Sequence, residues 1–141
     1  MKTILTFLIL PFFIININAQ TGTVDEMPRF PSCENKRLDK TELSGCATAE
    51  LLKFVYGRLR YPPEAKRWKT EGTVFAQFFV DTDGSIVDAN IVKGIGDGCD
   101  EEVLRVIAEM PLWIPGMQKG KPVKVSYTLP VKFALDNRKQ D

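Results

Sequence analysis

The chain has 141 residues, 44% hydrophobic and 26% charged, which suits one globular domain with a real core. Nineteen Lys and Arg against eighteen Asp and Glu leave a formal charge of +1, so no strong field draws the chain to nucleic acid or an acidic membrane surface. With no histidine the commonest general base is missing, and three cysteines without a CxxC pair make a poor zinc set, so neither catalysis nor a metal or other cofactor is expected.

The N-terminus reads MKTILTFLILPFFIININAQ. Lys2 precedes an apolar run, Ile4–Ile15, broken only by Thr6 and Pro11. As a helix that run would span roughly 18 Å, short of the about 30 Å of a bilayer core. It reads as a signal peptide over residues 1–19, with Ile17 and Ala19 at the −3 and −1 positions of a cleavage before Gln20. The alternative is an inner-membrane anchor through residues 4–17. Export makes disulfides possible.

Residues 20–47 read as an irregular extension. Cys33 and Cys46 bracket a polar loop, and a bridge between them would stabilise by roughly 3 kcal/mol in the chain-entropy model. Cys99 is then either a buried free thiol or the true partner of one of the other two.

From Thr48 the pattern turns helical. Leu51, Leu52, Val55, Tyr56 and Leu59 share one face, Ser44 or Thr48 is the candidate cap, and Tyr61–Pro62 is the stop. Pro62–Pro63 opens a short second helix through Lys69, with Ala65 and Trp68 on one face. Thr73–Val80 is a strand with Val74, Ala76, Phe78 and Val80 on one side and Phe75 and Phe79 on the other. DTDG, residues 81–84, is a hairpin turn, where Asp accepts local backbone bonds and Gly supplies positive φ. Ser85–Lys93 returns as a strand, with Val87, Ala89 and Ile91 towards the core. GIGDG leads into a helix over Asp100–Met110, capped by Asp97 or Asp100 and buried through Val103, Val106, Ile107 and Met110. LWIPGMQKGKP is a connection. VKVSYTLPVKF, residues 123–133, alternates strictly and reads as the last strand. Residues 136–141 are a polar tail. The order predicts an α+β two-layer sandwich: a three-stranded antiparallel sheet with helices packed on one face.

Neither suggestive motif carries chemistry. DTDG lacks the later ligands of a calcium loop, because Gly84 arrives too soon. In GIGDGCDEE the third glycine of a nucleotide loop is replaced by Cys99, and four carboxylates would repel a phosphate. Ser126 and Cys99 have no visible activator. Tyr61, Trp68, Trp113 and Tyr127 read as core and rim packing rather than a ligand platform. The basic residues, interspersed with acids, read as solvated faces.

Tyr61-Pro62…Ala65, Gly72-x-Val74, Asp81-x-Asp83-Gly84, the helix to Met110, Trp113-x-Pro115-Gly116 and Pro122-Val123…Pro130-Val131-x-Phe133 together resemble the C-terminal domain of TonB over residues 48–135. The resemblance implies a periplasmic domain that supports energy-coupled transport. It implies partners too: the TonB boxes of outer-membrane receptors, with ExbB and ExbD or a full-length TonB also implicated. Family domains grip a TonB box by adding it to the open edge of the last strand. The implied binding edge here is Lys124, Val125, Ser126, Tyr127, Thr128 and Lys132. Full-length family members carry a membrane helix with a functional histidine and a Pro-rich spacer, neither of which is visible. The alternative is therefore a stand-alone periplasmic scaffold that dimerises through the same edge or modulates a full-length TonB.

Pro130 lies inside this strand, yet proline cannot donate to a ladder. If odd residues bond to an inner neighbour, Pro130 belongs to the even set facing outward and guards that edge; the alternative is that it sits at a bulge with no binding role. A guest strand would then dock along Lys124–Thr128.

Overall fold

The computed structural model describes residues 23–135, so the expected signal segment 1–19 and tail 136–141 lie outside the described residues. A first helix, α1, runs Lys40–Arg58. It begins well before the expected Thr48, inside the stretch read as irregular, because Asp39 caps it rather than Ser44 or Thr48. The Asp39 carboxylate accepts from the Thr41 and Glu42 amides at 2.9 Å, and the Glu42 carboxylate accepts from the Asp39 amide at 3.1 Å. This reciprocal capping box satisfies donors that the helix cannot use itself. Ala47, Leu51 and Val55 are buried, whereas Leu52 and Tyr56 lie at the exposed margin of the stripe.

Cys46, on α1, is bonded to Cys33, with Cα atoms 6.2 Å apart. Cys33 is wholly buried, so the bridge fastens the extension to the helix. Replacing both cysteines with alanine is expected to lower stability by about 3 kcal/mol, measurable by urea denaturation under oxidising conditions. Cys99 is the free, buried cysteine. Burial, with Asp100 and Asp97 nearby, pushes its thiol up to about 11 and keeps it neutral and inert.

A short helix, α2, spans Pro63–Trp68. Ala65 is buried, but Trp68 is 62% exposed with the Arg67 guanidinium over its ring, so the two do not share a buried face. Next come β1 (Gly72–Val80) and β2 (Ile86–Lys93). At their turn the Gly84 amide donates to the Asp81 carbonyl at 2.9 Å, with Gly84 at φ 86°. The Asp83 carboxylate accepts from the Ser85 amide and hydroxyl.

The faces of β2 differ from expectation. Ile86 pairs with Val80 and Val87 with Phe79, so Ile86 faces the core and Val87 the opposite side. A bulge between these pairs and the next, with Asp88 at φ 53°, restores Ile91 to the core opposite Ala76 and leaves Ala89 exposed. One inserted residue inverts every face before it.

Helix α3 is Cys99–Ala108, preceded by Gly98 at φ 83° with no side-chain cap. Asp100, expected as a cap, instead accepts the Ile95 amide at 2.9 Å and holds the incoming loop. The buried stripe is Val103, Val106 and Ile107, with Met110 packed beside it. LWIPGMQKGKP forms a second hairpin, β3 (Gly116–Gln118) with β4 (Lys121–Val123). Lys119 and Gly120, at φ 49° and 72°, make its two-residue turn. The chain breaks at Lys124, so the expected strand 123–133 is divided, and β5 is Val125–Phe133.

β2, β1 and β5 form one antiparallel sheet in that order. One face carries Val74, Ala76, Phe78, Val80, Leu129, Val131 and Phe133, all buried beneath residues of the three helices. No described helix covers the other face, and Phe75 and Phe79 there are half-buried.

An ionic clasp joins α3 to the end of α1. Arg105 donates to Glu102 at 2.6 Å and to the Arg58 carbonyl at 2.9 Å, while Glu102 also accepts the Arg60 amide at 2.8 Å. Hydrogen bonding to Arg105 holds the Glu102 carboxyl below its usual range, and Arg29 does the same for Glu34. A depressed carboxyl stabilises the fold above its unfolded value near 4.5 and loses that contribution as pH falls through its folded value. Thermal melts across acid pH should show stability declining below about 4.5, and Glu102→Gln should flatten part of that decline.

Candidate functional site

β5 is one outer strand of the sheet. Its register against β1 is unbroken, from Gly72 opposite Phe133 to Val80 opposite Val125. The Lys132 amide donates to the Tyr56 hydroxyl of α1 at 3.0 Å, and therefore points away from β1. In an unbroken ladder, residues two apart direct their backbone groups to the same side. Pro130, Thr128 and Ser126 thus share the outward set with Lys132, and Pro130 removes no donor from the pairing with β1.

The six expected edge residues are disposed unequally. Ser126 and Thr128 are exposed and aim backbone donors and acceptors outward. Lys132 has its amide occupied by Tyr56. Val125 and Tyr127 direct their backbone inward, Val125 buried and Tyr127 half-buried on the core face. Lys124 precedes β5; its ammonium lies 3.5 Å from the Asp88 carboxylate and 5.1 Å from the centre of the Phe79 ring, on the face away from the helices.

The opposite margin, β2, is less receptive. Its two register shifts and the positive φ at Asp88 break the even row of backbone groups that an added strand needs.

Beneath Tyr127 lies an aromatic cluster that residue patterns alone did not reveal. Trp113, 2% exposed, meets Tyr127 at 5.0 Å, Phe78 at 5.3 Å and Phe30 at 5.9 Å between ring centres, all edge to face. Burial raises the Tyr127 phenol above its usual value and keeps it neutral. The N-terminal segment closes over this cluster. Arg29 pairs with Ile114 and Glu26 with Met117, through backbone bonds of 2.9–3.0 Å. A cavity of about 210 Å³ remains, with Met27, Phe30, Thr48, Leu51, Trp113 and Tyr127 in its walls. The indole N–H of Trp113 is buried without a hydrogen-bond acceptor among the described residues.

The family described as "Gram-negative bacterial TonB protein C-terminal" matches residues 57–135. The chain belongs to the TonB C-terminal family. That span holds the end of α1 and every later element, while the capping box, the disulfide and residues to Tyr56 precede it. Two solved structures of the Helicobacter pylori TonB C-terminal domain are similar, each at 24% identity. One, of residues 179–285, aligns with a TM-score of 0.50 over 64% of this chain and 81% of that one. The other, of residues 194–285, aligns with a TM-score of 0.47 over 62% and 91%. No curated protein matches the sequence. The TonB C-terminal family is periplasmic and transport-associated, and it functions in energy transduction. No helix among the described residues is long and apolar enough to cross a membrane.

Proposed function

We propose that this domain binds an extended segment of a partner by strand addition along Val125–Thr128, and that the segment is the TonB box of an outer-membrane receptor. The observation that carries this reading is the Lys132 amide on Tyr56: with the unbroken register it turns Ser126 and Thr128 to the outside. Main-chain bonds to those residues supply affinity with little demand on guest sequence. Tyr56 and Pro130 limit the receptive row, since one occupies a donor and the other removes one. The protein acts in the periplasm after cleavage before Gln20, supporting energy-coupled transport.

The test is an NMR titration of the oxidised mature chain with receptor N-terminal peptides. Shifts should centre on the Ser126 and Thr128 amides. Thr128→Pro keeps the parity of Pro130, costs no bond to β1, and should weaken binding about five- to tenfold, the loss of one net hydrogen bond. Shifts confined to β2, or unaltered affinity in Thr128→Pro, would refute strand addition at β5. Self-association through the same edge would appear as a concentration-dependent dimer in size-exclusion chromatography, abolished by Thr128→Pro.

A further inference from the structure

We infer that the cavity under Tyr127 is a side-chain pocket that selects guests with one large apolar residue, aromatic or branched aliphatic. This rests on the strand-addition reading. The argument is one of faces. Paired residues on adjacent strands present their side chains to the same side of a sheet. Tyr127 lies opposite Phe78, on the helix-covered face. A guest bonded to Ser126 and Thr128 sets one residue directly across from Tyr127, in either strand direction. That residue's side chain falls on the helix side of the sheet, where the cavity of about 210 Å³ lies with Tyr127 as one wall. Its immediate neighbours, across from Ser126 and Thr128, face the side that no described helix covers. The pattern read from a guest is therefore polar, large apolar, polar.

The walls match that class. Met27, Phe30, Leu51, Trp113 and Tyr127 are apolar or aromatic, and Met27 is 56% exposed at the rim, where a flexible thioether adapts to differing shapes. Thr48 supplies an exposed wall from α1. Arg29 also lines the cavity, but its guanidinium is committed to Glu34 at 2.7 Å, so a charged guest side chain would be desolvated there without a free partner. Met27, Phe30, Thr48 and Leu51 all precede residue 57, where the family match begins. Those four walls belong to this chain's N-terminal region, fastened by Cys33–Cys46, and they complete a pocket whose other walls, Trp113 and Tyr127, lie in the family-matched span.

The experiment uses the oxidised mature chain and alternating Thr–Ser nonapeptides carrying one central Ala, Leu, Phe, Asp or Lys, titrated by calorimetry. Leu and Phe guests should bind about tenfold tighter than Ala, the ratio expected for burying a large side chain, and Asp and Lys no tighter than Ala. Thr48→Trp, which fills the cavity from an exposed position, should erase the Leu and Phe advantage over Ala. In a Trp68→Phe background Trp113 is the single tryptophan, and its emission should shift with Leu and Phe guests but not with Ala. Equal affinity for Ala, Leu and Phe, with Thr128→Pro weakening all three alike, would overturn the pocket and leave the edge standing. Binding indifferent to Thr128→Pro, or no binding by any peptide, would overturn both.

Discussion

Phe78→Ala lowers the stability of the domain by about 4 kcal/mol, the range for truncating a buried aromatic. Phe78 has no exposed surface and stands on the central strand. Its ring stacks on Tyr127 at 5.5 Å and meets the edge of Trp113 at 5.3 Å. Removing it takes away transfer energy and leaves a cavity that two large rigid neighbours cannot fill. Urea denaturation followed by circular dichroism would measure the loss. A change below about 1.5 kcal/mol would mean that Trp113 and Tyr127 collapse into the space. The damage should reach the edge as well, since Tyr127 is seated on Phe78. At equal fraction folded, the variant should also lose peptide affinity.

Gly84→Ala is the second large effect, again about 4 kcal/mol, combining backbone strain with overpacking. Gly84 has φ 86°, which residues with a Cβ rarely adopt, and an added Cβ would lie 2.0 Å from the Trp113 carbonyl oxygen. That oxygen is main chain, so relief requires the segment itself to move. The Trp113 amide donates to the Gly84 carbonyl at 2.8 Å, so the same shift would break the bond that docks the Trp113 segment on the β1–β2 turn. Thermal denaturation would give the magnitude. Gly96→Ala makes the comparison: it also has positive φ, but nothing lies within 4 Å of its added Cβ. It should cost only the strain, about 1–2 kcal/mol. Equal losses in the two variants would assign the whole effect to φ.

What could be read from the residues was whatever rests on local period. The alternation of Thr73–Val80, the DTDG turn and the stripe of α3 each depend on neighbours in sequence, and the layered α+β architecture follows from them. The parity of Pro130 was also readable, because faces and lateral sides alternate by residue. The start of α1 was not, since Lys40–Ala47 has almost no apolar face and is held by its cap and the disulfide. Its one signal was the D-x-x-E spacing of Asp39 and Glu42. The face of Val87 depends on a bulge, and bulges leave no periodic trace. Lys119–Gly120 was a readable turn inside a stretch taken as a connection. Tyr56 matched the apolar period of α1 but spends its hydroxyl on Lys132, a contact set by how the helix lies on the sheet. The cavity beneath Tyr127 draws its walls from four separate segments, so no window of sequence contains it.

The order of strands also bears on how the chain reaches its native state. β1 is central, and the strand that seals its second side, β5, comes after every other described element. While the chain is being made, Val74, Ala76, Phe78 and Val80 must wait beside an unpaired edge until Val125–Phe133 arrives. Pairings so remote in sequence close slowly, because the intervening loop must be ordered first. During that interval the nascent protein is most exposed to wrong pairing, and holding it unfolded until the last strand has emerged protects it.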